Sequence, residues 1–125
     1  LKGQTPDKVK CVCRVEDVLA MREEVSTVVV RDSLLNYMED IVKSTREEER
    51  FLLGASPRAL LSLVRASQAR AYLQGRDYAK PDDVKAVAIP VLAHRLLLSS
   101  QARIQNAVAQ DLLKSLILRV KVPIE

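Results

Sequence analysis

The chain has 125 residues, 48% of them hydrophobic but only 3% aromatic, with three glycines, two cysteines and one histidine. That length allows one domain with its own core, and a core of Leu, Val, Ile and Ala favours helices packed on helices. The net charge of +4 is uneven: ten basic against eleven acidic residues up to position 60, ten against five beyond it. This excludes a polybasic tail, and no apolar run approaches the ~18 residues that a membrane span needs.

Residues 1–13 read as a linker or the end of a preceding domain, with Val9-Lys10-Cys11-Val12-Cys13 extended. A single C-x-C pair lacks the ligand count of a zinc site, and cysteines two apart on an extended chain bridge poorly. Cys11 and Cys13 are therefore expected as plain thiols, which suits a cytoplasmic protein. A start at Leu1, in a charged stretch with no signal peptide, suggests a segment of a longer protein.

From Arg14 the pattern turns helical, with Val15, Val18, Leu19 and Val25 on one broad face and Glu16 and Asp17 early, where acids suit the helix dipole. Thr27-Val28-Val29-Val30 reads as a buried extended connection. A second helix is expected over 32–46, capped by Asp32, with Leu34, Leu35, Met38, Ile41 and Val42 on its inner stripe. The charged run 46–50 reads as a solvated loop or frayed turn. The third helix, 57–74, is apolar on more than one face and should be central; Gly75 ends it.

Pro81 opens a fourth helix with Asp82 and Asp83 in its first turn, and Pro90 should kink or end that helix near Ile89. Leu96-Leu97-Leu98 is a short apolar link. A last helix starts at Ser99 or Ser100, with Ile104, Val108, Leu112 and Leu116 along one seam. The expectation is an all-α bundle of about five helices joined by short extended links.

The run Gly54-Ala55-Ser56-Pro57-Arg58-Ala59 carries the one local conflict. Ser56 at the cap and Pro57 at the first helical position make a strong helix start. Arg58 then puts a cation at the positive end of the dipole, where an acid would be favoured. Free N–H groups together with a guanidinium fork suit phosphate oxygens, so this run is the candidate anion site.

Nothing else in the chain promises chemistry. There is no phosphate loop, no nucleophile elbow and no H-E-x-x-H. His94 stands alone near a helix end, and no metal site is expected. The paired carboxylates Asp82-Asp83 and Glu23-Glu24 read as first-turn acids or solvated faces. Arg58, Arg65, Arg70, Arg76, Lys80 and Lys85 could face a nucleic acid, yet stacking aromatics are scarce and no recognition helix is evident, so that reading is the weaker one. A helical adaptor indifferent to nucleotide is a third reading.

Leu53 to Ala59 resembles the sensor-2 motif of MoxR-type AAA+ ATPases. The likeness continues through Gly75-Arg76-Asp77-Tyr78, Pro81-Asp82-Asp83-Val84-Lys85, Pro90-Val91-Leu92 and His94-Arg95-Leu96. Upstream it takes in residues 30–37 and the Thr45-Arg46 pair. Arg31 and Lys80 depart from it, standing where a capping Ser or Thr is usual. The resemblance implies that residues 14–125 are the C-terminal helical lid of such an ATPase. Arg58 would be the sensor-2 arginine, reaching the γ-phosphate of ATP, and Gly54, Ala55, Ser56 and Pro57 would shape the turn that presents it. ATP and Mg²⁺ would be held by the full-length protein, on a P-loop domain preceding Leu1, and neither is expected on this fragment alone. The implied partners are that domain, neighbouring subunits of a ring, and a client protein, such as one with a von Willebrand A domain.

Overall fold

The computed structural model describes residues 9–124, so the expectations for residues 1–8 and Glu125 lie outside the described residues. Residues 9–14 carry neither helix nor strand, and Cys11 and Cys13 are both exposed and free. Six α-helices follow: α1 (Val15–Ser26), α2 (Asp32–Glu47), α3 (Pro57–Leu73), α4 (Pro81–Leu92), α5 (Ser100–Ile104) and α6 (Ala109–Arg119). Two short strands, β1 (Phe51–Leu53) and β2 (Leu97–Leu98), pair antiparallel, and a single 3-10 turn (Ala93–Arg95) follows α4. The all-α class holds, with six helices rather than five.

The core forms where the helical stripes meet. From α2 come Leu34, Tyr37, Met38, Ile41 and Val42; from α3, Ala59, Leu63 and Ala71; from α4, Val84, Ala88 and Leu92; from α6, Leu113, Leu116 and Ile117. The small residues of α3 let α4 approach closely, and these two helices make the most extensive pair in the fold. Tyr37 is 2% exposed, and its hydroxyl has no hydrogen-bond partner among the described residues. Burial, with the Asp82 charge as a lesser cause, pushes its pKa up and keeps it a neutral phenol.

Helix α1 begins after Arg14, as the sequence predicts, with Glu16 and Asp17 in its first turn. None of its residues is buried, and Val15, Val18 and Leu19 are all exposed. Its principal neighbour is α3. The buried extended connection after it is half right. Val28 is buried and Val29 is exposed, with Val29 bridging Tyr78 through the bonds Val29 N to Asp77 O (2.8 Å) and Ala79 N to Val29 O (2.9 Å).

Three further expectations are corrected. The run 46–50 is not simply solvated: α2 continues to Glu47, and Arg50 grips Glu48 through Nε (2.7 Å) and Nη2 (3.0 Å). The Arg50 hydrogen bond, opposed by burial, holds the Glu48 carboxyl below its usual pKa. Of the two outcomes expected at Pro90, a kink or an end, the end is ruled out: α4 runs on to Leu92 before tightening into the 3-10 turn. Proline removes only one ladder bond there, and the complete burial of Leu92 favours another turn.

The last helix is broken in two. Asn106 takes φ +57°, and its amide and that of Ala107 bond back to Arg103 O and Ala102 O (3.0 Å each), closing α5 as glycine closes other helices. The seam therefore fails: Ile104 is 81% exposed and Val108 51%, while Leu112 and Leu116 are buried in α6. Gly75 behaves as expected. It takes φ +74° after α3, with Gly75 N to Tyr72 O (2.9 Å) and Arg76 N to Ala71 O (3.0 Å).

Candidate functional site

The turn 54–56 joins β1 to α3 and is fastened to the end of α2. Ala55, 1% exposed, donates its amide to Thr45 Oγ1 (2.9 Å), and its carbonyl accepts from Arg46 Nε (2.7 Å). Thr45 is itself fully buried and donates to Val42 O (2.6 Å), so one hydroxyl serves two backbone groups. Gly54 lies flat against the same helix end. A Cβ at this position would stand 2.7 Å from the Arg46 Cα and N and 2.8 Å from the Thr45 carbonyl carbon. Only glycine permits that approach.

Past this clamp, Ser56 caps α3 as expected, its hydroxyl accepting from Ala59 N (3.2 Å). Pro57 is the first helical residue and Arg58 the second. Arg58 is exposed, and among the described residues its side chain makes no hydrogen bond or ion pair. The first turns of α1, α2, α4 and α6 all carry an acid, whereas the 17-residue α3 and the five-residue α5 have none.

The backbone half of the expected anion site is smaller than the sequence implies. Pro57 has no N–H, and the Ala59 and Leu60 amides both bond to Ser56 O (2.9 and 3.3 Å). Ala55 is buried with both backbone polar groups engaged within the fold. Any anion bound here is held by the Arg58 guanidinium, with the dipole of α3 behind it.

A second clamp fixes α3 against α4. Arg76 donates to both oxygens of Asp83 (2.8 and 2.7 Å), and the Lys80 amide donates to Asp83 Oδ2 (2.8 Å). Asp83 is 2% exposed, and Arg70 lies 3.7 Å from its Oδ1. Burial pushes its pKa up, but the hydrogen bonds and the Arg76 and Arg70 charges outweigh that and leave it below its usual value. This also explains Lys80 at a cap position, since the capping bond comes from Asp83 three residues on. Arg31 at the start of α2 has no such help: no side chain caps there, and Asp32, expected as the cap, is the first helical residue.

The remaining candidates do not gather into a site. His94 is exposed in the 3-10 turn, and among the described residues no three His, Cys, Asp or Glu side chains converge as metal ligands. A groove of about 600 Å³ between α1 and α3 is lined mainly by apolar side chains such as Val18, Met21 and Tyr72, and Arg58 is not among them. Sequence reasoning missed Arg95. Its guanidinium donates to Val91 O (3.1 Å, Nε) and to Ser62 Oγ (3.3 Å, Nη2), one turn along α3 from Arg58. No helix among the described residues is long and apolar enough to cross a membrane.

Comparison with known proteins bears on this arrangement. A family model described as the AAA lid domain matches residues 43–116. The uncharacterized protein YeaC of Bacillus subtilis is 34% identical over 99% of this chain and 39% of its own length. The chaperone MoxR1 of Mycobacterium tuberculosis is 35% identical over 80% of the chain and 29% of its own length. The protein MoxR of Methylorubrum extorquens is 41% identical over 56% of the chain and 21% of its own. A crystal structure described as a candidate ATPase from Cytophaga hutchinsonii superposes with a TM-score of 0.81 at 30% identity, covering 87% of this chain and 36% of that one. The chain thus spans well under half the length of the relatives it matches.

Proposed function

The chain belongs to the AAA lid domain family, as the helical lid of a MoxR-type ATPase, and on that premise we propose that Arg58 is its sensor-2 arginine. One observation carries the reading. An exposed cation with no side-chain partner among the described residues stands at a helix start where an acid would be more stable, and the turn before it is clamped by one buried and one part-buried bond. Such an arrangement is costly unless an anion arrives opposite Arg58.

In this proposal residues 14–125 form the lid, and the preceding residues lead from a P-loop domain that holds ATP and Mg²⁺. When bound, the nucleotide supplies the phosphates to be cleaved, and the nucleophile, base and metal ligands are assigned to the P-loop domain. Arg58 places a charge-assisted fork on the terminal phosphate, contributing about 1.5–3 kcal/mol. Gly54, Ala55, Ser56 and Pro57 fix the direction of that fork without touching the ligand. Lid closure on the nucleotide and release after hydrolysis follow. Ring assembly, a cytoplasmic location and chaperone-like activation of a client protein, among them von Willebrand A-domain proteins, extend the same reading from the family.

The test is ATP turnover by the full-length protein. Arg58→Ala should lower it about 10- to 100-fold, as loss of one charge-assisted contact implies, with the melting temperature unchanged. Unchanged turnover would reduce Arg58 to a surface residue.

A further inference from the structure

Arg95 and Arg58 are joined through one hydroxyl. Ser62 Oγ donates to the Arg58 carbonyl (3.2 Å) and accepts from Arg95 Nη2 (3.3 Å). The 3-10 turn after α4 therefore delivers a second guanidinium to the stretch of α3 that begins with Arg58. Arg95 is exposed and, like Arg58, takes part in no ion pair among the described residues.

The sequence around both is free of carboxylates. No Asp or Glu occurs in residues 51–76 or in residues 84–110, so neither arginine has a carboxylate near it in sequence. An anion reaching the face of α3 that carries Ser62 would meet guanidinium groups from both helices. Arg95 is also pre-organised. Its Nε is held by Val91 O and one Nη2 hydrogen by Ser62, while both Nη1 hydrogens and the second on Nη2 stay free to donate. A fork already fixed at two points loses little further freedom when it binds.

We propose that Arg95 is a second phosphate-facing arginine of the lid, binding the same polyphosphate as Arg58, with Ser62 as its positioning residue. The proposal rests on the reading of Arg58 as nucleotide-facing. A helix-capping role, through the Val91 carbonyl, is the alternative that must be separated from it.

The experiment measures the affinity of the full-length protein for fluorescent ATP and ADP analogues, alongside its melting temperature. Arg95→Ala should weaken the triphosphate about tenfold and the diphosphate much less, with stability retained. Arg95→Lys should recover only part of that loss, since one ammonium cannot span Val91 O, Ser62 and a phosphate together. Ser62→Ala should weaken the triphosphate by about threefold, less than Arg95→Ala, because Arg95 keeps its charge and its Val91 anchor and loses one of two fixed points. Wild-type affinity in Arg95→Ala, with Arg58→Ala impaired, overturns the role of Arg95 and leaves that of Arg58 standing. Equal weakening of both nucleotides together with a lowered melting temperature makes Arg95 a helix cap and also overturns it. Wild-type affinity in both arginine variants removes the Arg58 reading itself, and this one with it.

Discussion

The hydroxyl of Thr45 sits beneath the amide of Ala55, accepting its hydrogen at 2.9 Å while donating to Val42 O. Ten residues apart in sequence, these two tie the last turn of α2 to the turn that presents Arg58. Removal of the hydroxyl leaves a buried amide without a partner. Thr45→Val should lower stability by about 1–3 kcal/mol, whereas Thr45→Ser should cost far less. Thermal melts of the two variants check this, and a loss in Thr45→Ser with none in Thr45→Val would mean that only the methyl packing matters.

Gly54 presses on the same helix end, against backbone atoms that cannot swing aside. Gly54→Ala should therefore force the turn away from α2, at about 1–3 kcal/mol or more. In the full-length protein its ATP turnover should fall further than its melting temperature explains, because Arg58 is carried with the turn. Turnover that simply tracks the folded fraction would separate the clamp from function.

Asp83 ties folding to pH. Its folded pKa lies below the unfolded value of about 3.9, so its contribution is present above that value and is lost as pH falls through the folded one. Melting temperatures of the wild type should drop through this acidic window. Asp83→Asn should be less stable at neutral pH, by about 3 kcal/mol at the low end for a buried pair because Arg76 keeps 22% exposure, and should show a shallower acid slope. Parallel pH curves would contradict the assignment.

Much of this fold is legible in the sequence because its signals are local. The stripe of Leu34, Met38, Ile41 and Val42 announces α2, and Ser56-Pro57 and Pro81 mark helix starts through their own backbone preferences. What escaped depends on residues far apart. Phe51–Leu53 becomes a strand only because Leu97–Leu98 returns to pair with it. Asn106 broke a plausible seam, since an asparagine in the left-handed region gives little warning in sequence. In the site itself, the arginine could be read from the helix start. The Thr45–Ala55 clamp and the placement of Arg95 needed the packed helices.

The central claim is that Arg58 meets a nucleotide phosphate. The most direct measurement is a structure of the full-length protein with a non-hydrolysable ATP analogue. A guanidinium nitrogen of Arg58 is expected about 3 Å from an oxygen of the terminal phosphate, the distance of a charge-assisted hydrogen bond. Phosphates fully enclosed by other residues, with Arg58 left in solvent or paired to a carboxylate, would contradict it.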